Sequence, residues 1–296
     1  MQLDPDLART IATVLDEGSF DLAARRLSLT PSAVSQRVKT LEQQLGRILL
    51  VRSRPVRATE AGEAVARFGR QVALLERDAA AGFGLAGESD GGRIRVPLGV
   101  NADSMATWFL PPLARLAERH RVEFDLHRDD QSFTARLLES GAVMAAVTSE
   151  AEPVGGCRAE PLGALRYVAV TTPAARERWF GAGVTAEALS VAPFVDFDRR
   201  DLLQHDWLRA RGVDSWTVPR HYVPASADFA TAVELGLGWG LLPVPQAEAA
   251  LAAGRLVRLD ETETAVPLFW QQWNLRSPLL DAIAAEIRAE ASRVLG

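Results

Sequence analysis

Between Thr30 and Lys39 the chain sets hydroxyl, amide and cationic side chains close together: Thr30, Ser32, Ser35, Gln36, Arg37 and Lys39. These are the groups that hydrogen-bond base edges and phosphates in a major groove. Ala33, Val34, Val38, Leu41 and Leu45 interleave with them at helical period and form an opposite face fit to dock on a core. Thr30 offers a capping hydroxyl and Pro31 a preset φ with no backbone donor to lose, so the spacing predicts a helix that starts here. Gly46 stops it. Leu49-Leu50-Val51 then opens a short hairpin bearing Arg52, Arg54 and Arg57, where arginine enters a minor groove or holds phosphates. From Arg25 to Arg57 eight residues are basic (25, 26, 37, 39, 47, 52, 54, 57) and one, Glu42, is acidic, on a chain of formal charge −5. Such a local excess implies a polyanionic partner, double-stranded DNA.

The elements that must position these groups are legible on either side. Leu7, Ile11, Val14 and Leu15 make an amphipathic helix, and Phe20 to Leu27 a second, with Gly18-Ser19 punctuating the gap. Beyond Thr59 a helix is expected to run to about residue 86. Ala61, Val65, Phe68, Val72, Leu75, Ala79 and Gly82 step by four and three along it, a heptad seam. Its expected partner is the same helix of a second copy, with Val65, Phe68, Val72 and Leu75 at the contact; an amphipathic helix lying on its own domain is the alternative.

Composition bounds the rest. A chain of 296 residues with 48% hydrophobic content exceeds one typical domain and can bury a full core. No apolar run approaches the ~20 residues of a membrane helix, and Met-Gln-Leu-Asp-Pro-Asp lacks the pattern of a signal peptide. One cysteine, Cys157, excludes an intrachain disulfide and fits a reducing cytoplasm. Residues 1–90 hold 12 basic and 12 acidic groups, so the acidity lies in the remainder. Enzyme chemistry finds little purchase. The four histidines (120, 127, 205, 221) stand at no metal-ligand spacing. Gly236-Leu237-Gly238-Trp239-Gly240 lies between helix and strand, the reverse of a dinucleotide loop, and reads as turn and packing glycines. Trp270 and Trp273 read as core or lobe-bridging strand residues.

From Gly84 to Gly92 the composition turns to Gly, Ser, Glu and Asp, a hinge-like linker. Strands and helices alternate after it. Strands are expected at 94–100, 122–126, 143–147, 166–171, 192–197 and 221–223, with short ones at 240–242 and 256–257 and a return through 267–273. Helices are expected at 104–118, 134–138, 201–211, 228–234 and 278–294. This rhythm predicts parallel sheets covered by helices, with ligands at the strand ends.

Ala23-Ala24-Arg25-Arg26-Leu27, Ser32-Ala33-Val34-Ser35-Gln36-Arg37-Val38 and Leu41-Glu42-Gln43-Gln44-Leu45-Gly46 resemble the winged helix-turn-helix of LysR-type transcriptional regulators. Asn101-Ala102-Asp103-Ser104 followed by Thr107-Trp108, Gly236 to Pro243 and Phe269-Trp270-Gln271-Gln272-Trp273 are similar to the LysG/ArgP branch, which controls basic amino-acid export. The resemblance implies a winged helix-turn-helix at residues 1–58, a linker and dimerisation helix with hinge at 59–91, and an α/β effector domain at 92–296. That domain would comprise two periplasmic-binding-protein-like lobes, one of 92–163 and 266–296, the other of 164–265. It implies a homodimer or homotetramer, a small-molecule effector and no cofactor, with RNA polymerase as a further partner. The expected effector is lysine or arginine, whose α-carboxylate, α-ammonium and side-chain cation must each find a partner in a closed cleft. Residues at strand ends supply candidates. Ser104 suits a carboxylate and Asp103 an ammonium, with Asn101, Asp130, Thr148, Asp198, Ser226 and Asp228 around them. A LysR-type regulator of another effector, or a solute-binding protein of similar lobed fold, are the alternatives.

Overall fold

The computed structural model describes residues 3–83, 94–128 and 134–296. The first helix, α1 (Pro5–Glu17), begins where the Asp4 carboxylate accepts the Asp6 and Leu7 amides, and ends at Gly18, whose φ of 66° suits glycine. Ser19 caps α2 (Phe20–Arg26), and Thr30 caps α3 (Pro31–Leu45) by accepting the Ala33 amide. Val34, Val38 and Leu41 on α3 enter a core with Ala8, Ile11, Val14 and Ala23. The wing is a two-stranded antiparallel hairpin, β1 (Leu50–Val51) and β2 (Arg57–Ala58). Glu42 anchors it, its carboxylate accepting the Leu49 amide at 2.8 Å.

Helix α4 (Glu60–Gly82) follows, and its apolar seam is used differently from the expectation. Val65 and Ala66 are buried in the core of the head formed by α1–α3, and Phe68 packs against it. The helices meet very closely: a Cβ at Gly69 would lie 2.6 Å from the Ala8 carbonyl. Val65 and Phe68 therefore face α1 of the same chain rather than a second copy. The physical reason is that a short three-helix head cannot enclose its own core and takes its lid from α4. Further along, Leu74 is buried among Leu138, Val143, Met144, Trp273 and Leu280 of the body. Val72 is half-buried, and Leu75 remains 42% exposed.

The body begins with β3 (Ile94–Val100), α5 (Ala102–Thr107) and α6 (Leu110–Arg119). A single helix was expected over 104–118. It breaks because Trp108 and Phe109 turn inward, both amides bonding to the Ser104 carbonyl, and because Pro111 and Pro112 have no amide to continue the ladder. β4 (Val122–Arg128), α7 (Thr134–Glu139) and β5 (Ala145–Thr148) complete the first half of this lobe. The chain crosses to the second lobe in β6 (Cys157–Thr171) and builds α8 (Pro173–Phe180), α9 (Ala186–Val191), β7 (Phe194–Asp196), α10 (Leu203–Arg209), β8 (Arg220–Tyr222), α11 (Ser226–Glu234), β9 (Gly240–Pro243) and α12 (Val244–Ala252). It returns in β10 (Val257–Trp273) and closes with α13 (Pro278–Val294).

One six-stranded sheet, ordered β4-β3-β5-β10-β6-β9, runs through both lobes, and β7 pairs separately with β8. β3 is parallel to β4 and β5, as the βα rhythm predicts. β10 is antiparallel to β5 and β6, and β6 to β9, so the sheet is mixed rather than parallel. Two strands that carry the chain out and back must run in opposite directions. Their lengths were hidden by Pro161 and Gly163 in β6, which sit where the register shifts opposite Leu268 and Phe269. Trp270 and Trp273 are fully enclosed, as expected of core strand residues.

Candidate functional site

Two sites emerge. On α3, Ser32, Gln36 and Lys39 are exposed and Ser35 half-buried, all off the face that enters the core. Thr30 spends its hydroxyl capping the helix and contacts the Ser32 hydroxyl at 3.0 Å. Arg37 lies on the flank toward α1, where its guanidinium donates to the Thr10 hydroxyl at 3.4 Å. Arg52, Arg54 and Arg57 stand exposed on the wing, Arg52 with its guanidinium 5.6 Å from the Phe20 ring centre.

The second site is a cleft of about 430 Å³ between the lobes, within the size range of small-molecule sites. One wall is built by strand ends: Asn101 and Asp103 after β3, Arg128 closing β4, and Ser149 after β5. The other comes from Phe197, Asp198, Arg200 and Asp201 after β7, with Asp206 on α10. Among the described residues the lining carries four carboxylates (103, 198, 201, 206) against two guanidiniums (128, 200).

Asn101 is the N-cap of α5, its side-chain oxygen accepting the Ser104 amide at 2.7 Å. That bond orients Nδ2 of Asn101, which is buried without a protein partner, as is Oγ of Ser104. Asn101 lines the cleft, but Ser104 is fully enclosed and does not, so the structure turns Ser104 into the core rather than toward the carboxylate the sequence expected it to meet. Asp103 keeps part of its surface in the cleft while its carboxyl is enclosed by protein. Tyr167 on β6 donates to its Oδ2 at 2.7 Å, and Ser226 is a second hydrogen-bond partner. Burial pushes the Asp103 carboxyl above its ordinary pKa, outweighing both hydrogen bonds. Asp198 behaves oppositely. Burial works against its charge, but the amides of Arg200 and Asp201 and the Arg200 guanidinium hold its carboxyl below the usual range.

The structure separates the other expected residues. Thr148 is buried behind the wall, donating to the Glu150 carbonyl at 3.1 Å and accepting from Gln271 at 3.3 Å. Gln271 also bonds the Glu152 carbonyl and the Val154 amide, so it staples the 148–154 loop. Ser226 faces inward from the first turn of α11, whereas Asp228 is exposed and does not line the cleft. Two helical steps turn a side chain by about 200°, so residues two apart in a helix cannot share a face. Asp130 lies outside the described residues. Sequence reasoning missed Tyr167, which reads as one more core aromatic in an apolar strand, and Arg128, which ends a strand with no turn signal.

A further polar trio, Ser215–His205–Asp196, has the residue types of a catalytic triad. His205 reaches the Ser215 hydroxyl at 2.7 Å and Asp196 at 2.9 Å. All three are buried, and Trp216 covers the imidazole at 4.5 Å between ring centres. The trio works as a strut beneath the loop that carries Asp198.

Residues 5–63 match the model of the bacterial regulatory helix-turn-helix proteins of the lysR family, and residues 88–292 match the LysR substrate binding domain. The chain belongs to the LysR family. It is 42% identical over 293 residues to the lysine export transcriptional regulatory protein LysG of Corynebacterium efficiens, covering 97% of this chain and 99% of that one. Among solved structures it is similar to ArgP from Mycobacterium tuberculosis, with 43% identity, a TM-score of 0.86 and 98% of each chain covered. It is also similar to full-length LysG from Corynebacterium glutamicum with bound effector Arg, with 35% identity, a TM-score of 0.77 and 99% of each chain covered. The chain is thus a LysG/ArgP-type transcriptional regulator, with a DNA-binding head and an effector domain, and not an enzyme. No helix among the described residues is long and apolar enough to cross a membrane.

Proposed function

We propose that this regulator senses lysine or arginine in the cytoplasm and, when the amino acid is plentiful, activates transcription of a basic amino-acid exporter gene. The observation that carries the reading is the acid-rich cleft with Asp103 enclosed at its wall. A cation entering a low-dielectric cleft needs a fixed carboxylate, and a neutral amino acid of the same length leaves that carboxylate unpaired. In this reading Asp103 meets an ammonium, the wall at Asn101 faces the α-carboxylate, and Asp198 faces the second cation. The names of the relatives, one for lysine export and one with arginine bound, support the same effector class. The regulator acts as a homodimer or homotetramer whose paired heads read duplex DNA through Ser35, Gln36, Arg37 and Lys39, with RNA polymerase recruited at the promoter. Isothermal titration of the full-length protein with lysine, arginine and norleucine tests the effector. Lysine or arginine is expected to bind far more tightly than norleucine, and equal affinity for all three overturns the reading. A gel shift with the gene's own upstream region tests the head separately.

A further inference from the structure

The cleft is lined by more acids than bases, yet a basic amino acid brings a carboxylate of its own. A carboxylate set among carboxylates is repelled unless a cation stands beside it. Of the two guanidiniums in the lining, Arg200 is engaged within its own loop, donating to Asp198 Oδ2 at 3.3 Å. Arg128 has no hydrogen bond or ion pair among the described residues. It ends β4, where it pairs in register with Val100, the last residue of the parallel strand β3. Asn101 follows Val100 directly, so Arg128 and Asn101 stand at the same end of two adjacent strands. Asn101 is 1% exposed, and its side-chain oxygen is occupied by the Ser104 amide, so Nδ2 is the end left without a protein partner. A buried donor without an acceptor beside a guanidinium without a counter-ion is an unfavourable arrangement until an anion arrives. The acids are distributed unevenly around it. Asp103 alone shares this wall, whereas Asp198, Asp201 and Asp206 stand on the second lobe.

We propose that Arg128 holds the α-carboxylate of the amino acid, with Asn101 Nδ2 beside it, and so fixes the direction in which the amino acid lies: its α-end on the first lobe, its side-chain cation toward the acids of the second. The inference rests on the reading of the cleft as a basic amino-acid site. The planar fork of a guanidinium suits a carboxylate through two parallel N–H···O bonds. Asp103, on the same wall, then faces the α-ammonium. Leu202, Leu203 and Val266 give the aliphatic stem an apolar lining. The reverse placement sets the α-carboxylate against three acids and leaves Arg128 facing a cation. Direction therefore follows from where the unpaired guanidinium stands, and selectivity divides between the lobes. Arg128 selects for a free carboxylate, and the second lobe for a cation at the far end.

The test is titration calorimetry of the full-length regulator and its Arg128→Gln variant with L-arginine, L-argininamide and L-norleucine. Argininamide keeps both cations and replaces only the carboxylate by a neutral amide. Wild type is expected to bind arginine about ten- to hundredfold more tightly than argininamide, the range for hydrogen bonds to charged groups. Arg128→Gln should weaken arginine by a similar factor and leave argininamide no weaker than in wild type, so that the two affinities converge. Its preference for arginine over norleucine should persist, because that preference belongs to the second lobe. Arg128→Lys keeps the charge without the fork and should restore part of the difference. A merely structural role for Arg128 would lower the melting temperature and weaken arginine and argininamide alike, leaving their ratio where it was. Wild type that binds no arginine, or binds arginine and norleucine equally, overturns the effector reading and this inference together. Wild type that prefers arginine to norleucine but binds argininamide equally well overturns this inference alone, as does a ratio of arginine to argininamide that Arg128→Gln leaves unchanged. If Arg128→Gln fails to fold, the ratio in Arg128→Lys decides.

Discussion

A carboxyl shut between two lobes resists ionisation, and Asp103 imposes that condition on the stability of the body. Its folded pKa is raised, so its contribution to stability is fully present below the ordinary carboxylate range, about 4. It is lost as pH rises through the elevated value. Melting temperatures of the ligand-free protein should therefore decline across that window, and Asp103→Asn should remove that decline. The same substitution should cost lysine or arginine binding about 2–5 kcal/mol, measured by calorimetry; retention of wild-type affinity would count against Asp103 as a contact. On α3, Ser35→Ala should lose about 1–3 kcal/mol of discrimination if Ser35 reads a base edge. Arg37→Ala should act on DNA and on the head at once, because its guanidinium also holds Thr10 of α1. Gel shifts and thermal melts of the two variants separate these effects. Asn101, Asp103 and Asp198 were legible because acidic and amide residues at strand ends stand out against apolar strands. Tyr167 was not, since its partner is 64 residues away in sequence and nothing local sets it apart from the apolar strand around it.

At the scale of elements, local chemistry announced α1, α2 and α3: each has a capping side chain at its start and apolar residues at helical period. The two long strands were illegible in part because β6 and β10 owe their length to each other. Helix α4 shows the limit of periodicity most clearly. Its heptad was visible, but a period does not name a partner, and half the seam proved to belong to the chain's own head. The two halves should respond differently to substitution. Val65→Ala removes a side chain that is only 5% exposed in the head core and should destabilise the head by about 1.5–3 kcal/mol, read in a denaturant melt. Leu75→Glu places a charge on the exposed face, and light scattering should show a lower mass with the head's stability unchanged. A wild-type mass for Leu75→Glu would move the contact between copies elsewhere.

For the whole molecule the decisive quantity is the distribution of charge rather than its sum. The body is acidic, while the segment from Arg25 to Arg57 carries eight basic residues and a single acid. DNA affinity should fall steeply with salt, as expected when cationic side chains displace condensed counterions. Arg52→Ala and Arg54→Ala should each reduce the log–log salt slope by about 1 if the residue touches a phosphate. Slopes identical to wild type would remove the wing from the DNA contact. Arginine or lysine in the cleft should leave these slopes unchanged, because among the described residues none that lines the cleft belongs to the head.

Helix α4 is bolted at both ends of its middle turns. Gly69 lets it touch the backbone of α1, Arg70 pairs with Asp16 of α1 and donates to the Gly141 carbonyl at 2.8 Å, and Arg67 donates to the Gly155 carbonyl at 2.6 Å. Head and first lobe are therefore joined by contacts that lie outside the cleft lining. In a saturation screen these few positions should behave as a class apart. Gly69 should accept no other residue, while lesions at Arg67 and Arg70 should yield proteins that bind amino acid normally, bind DNA normally, and have become deaf to one while holding the other.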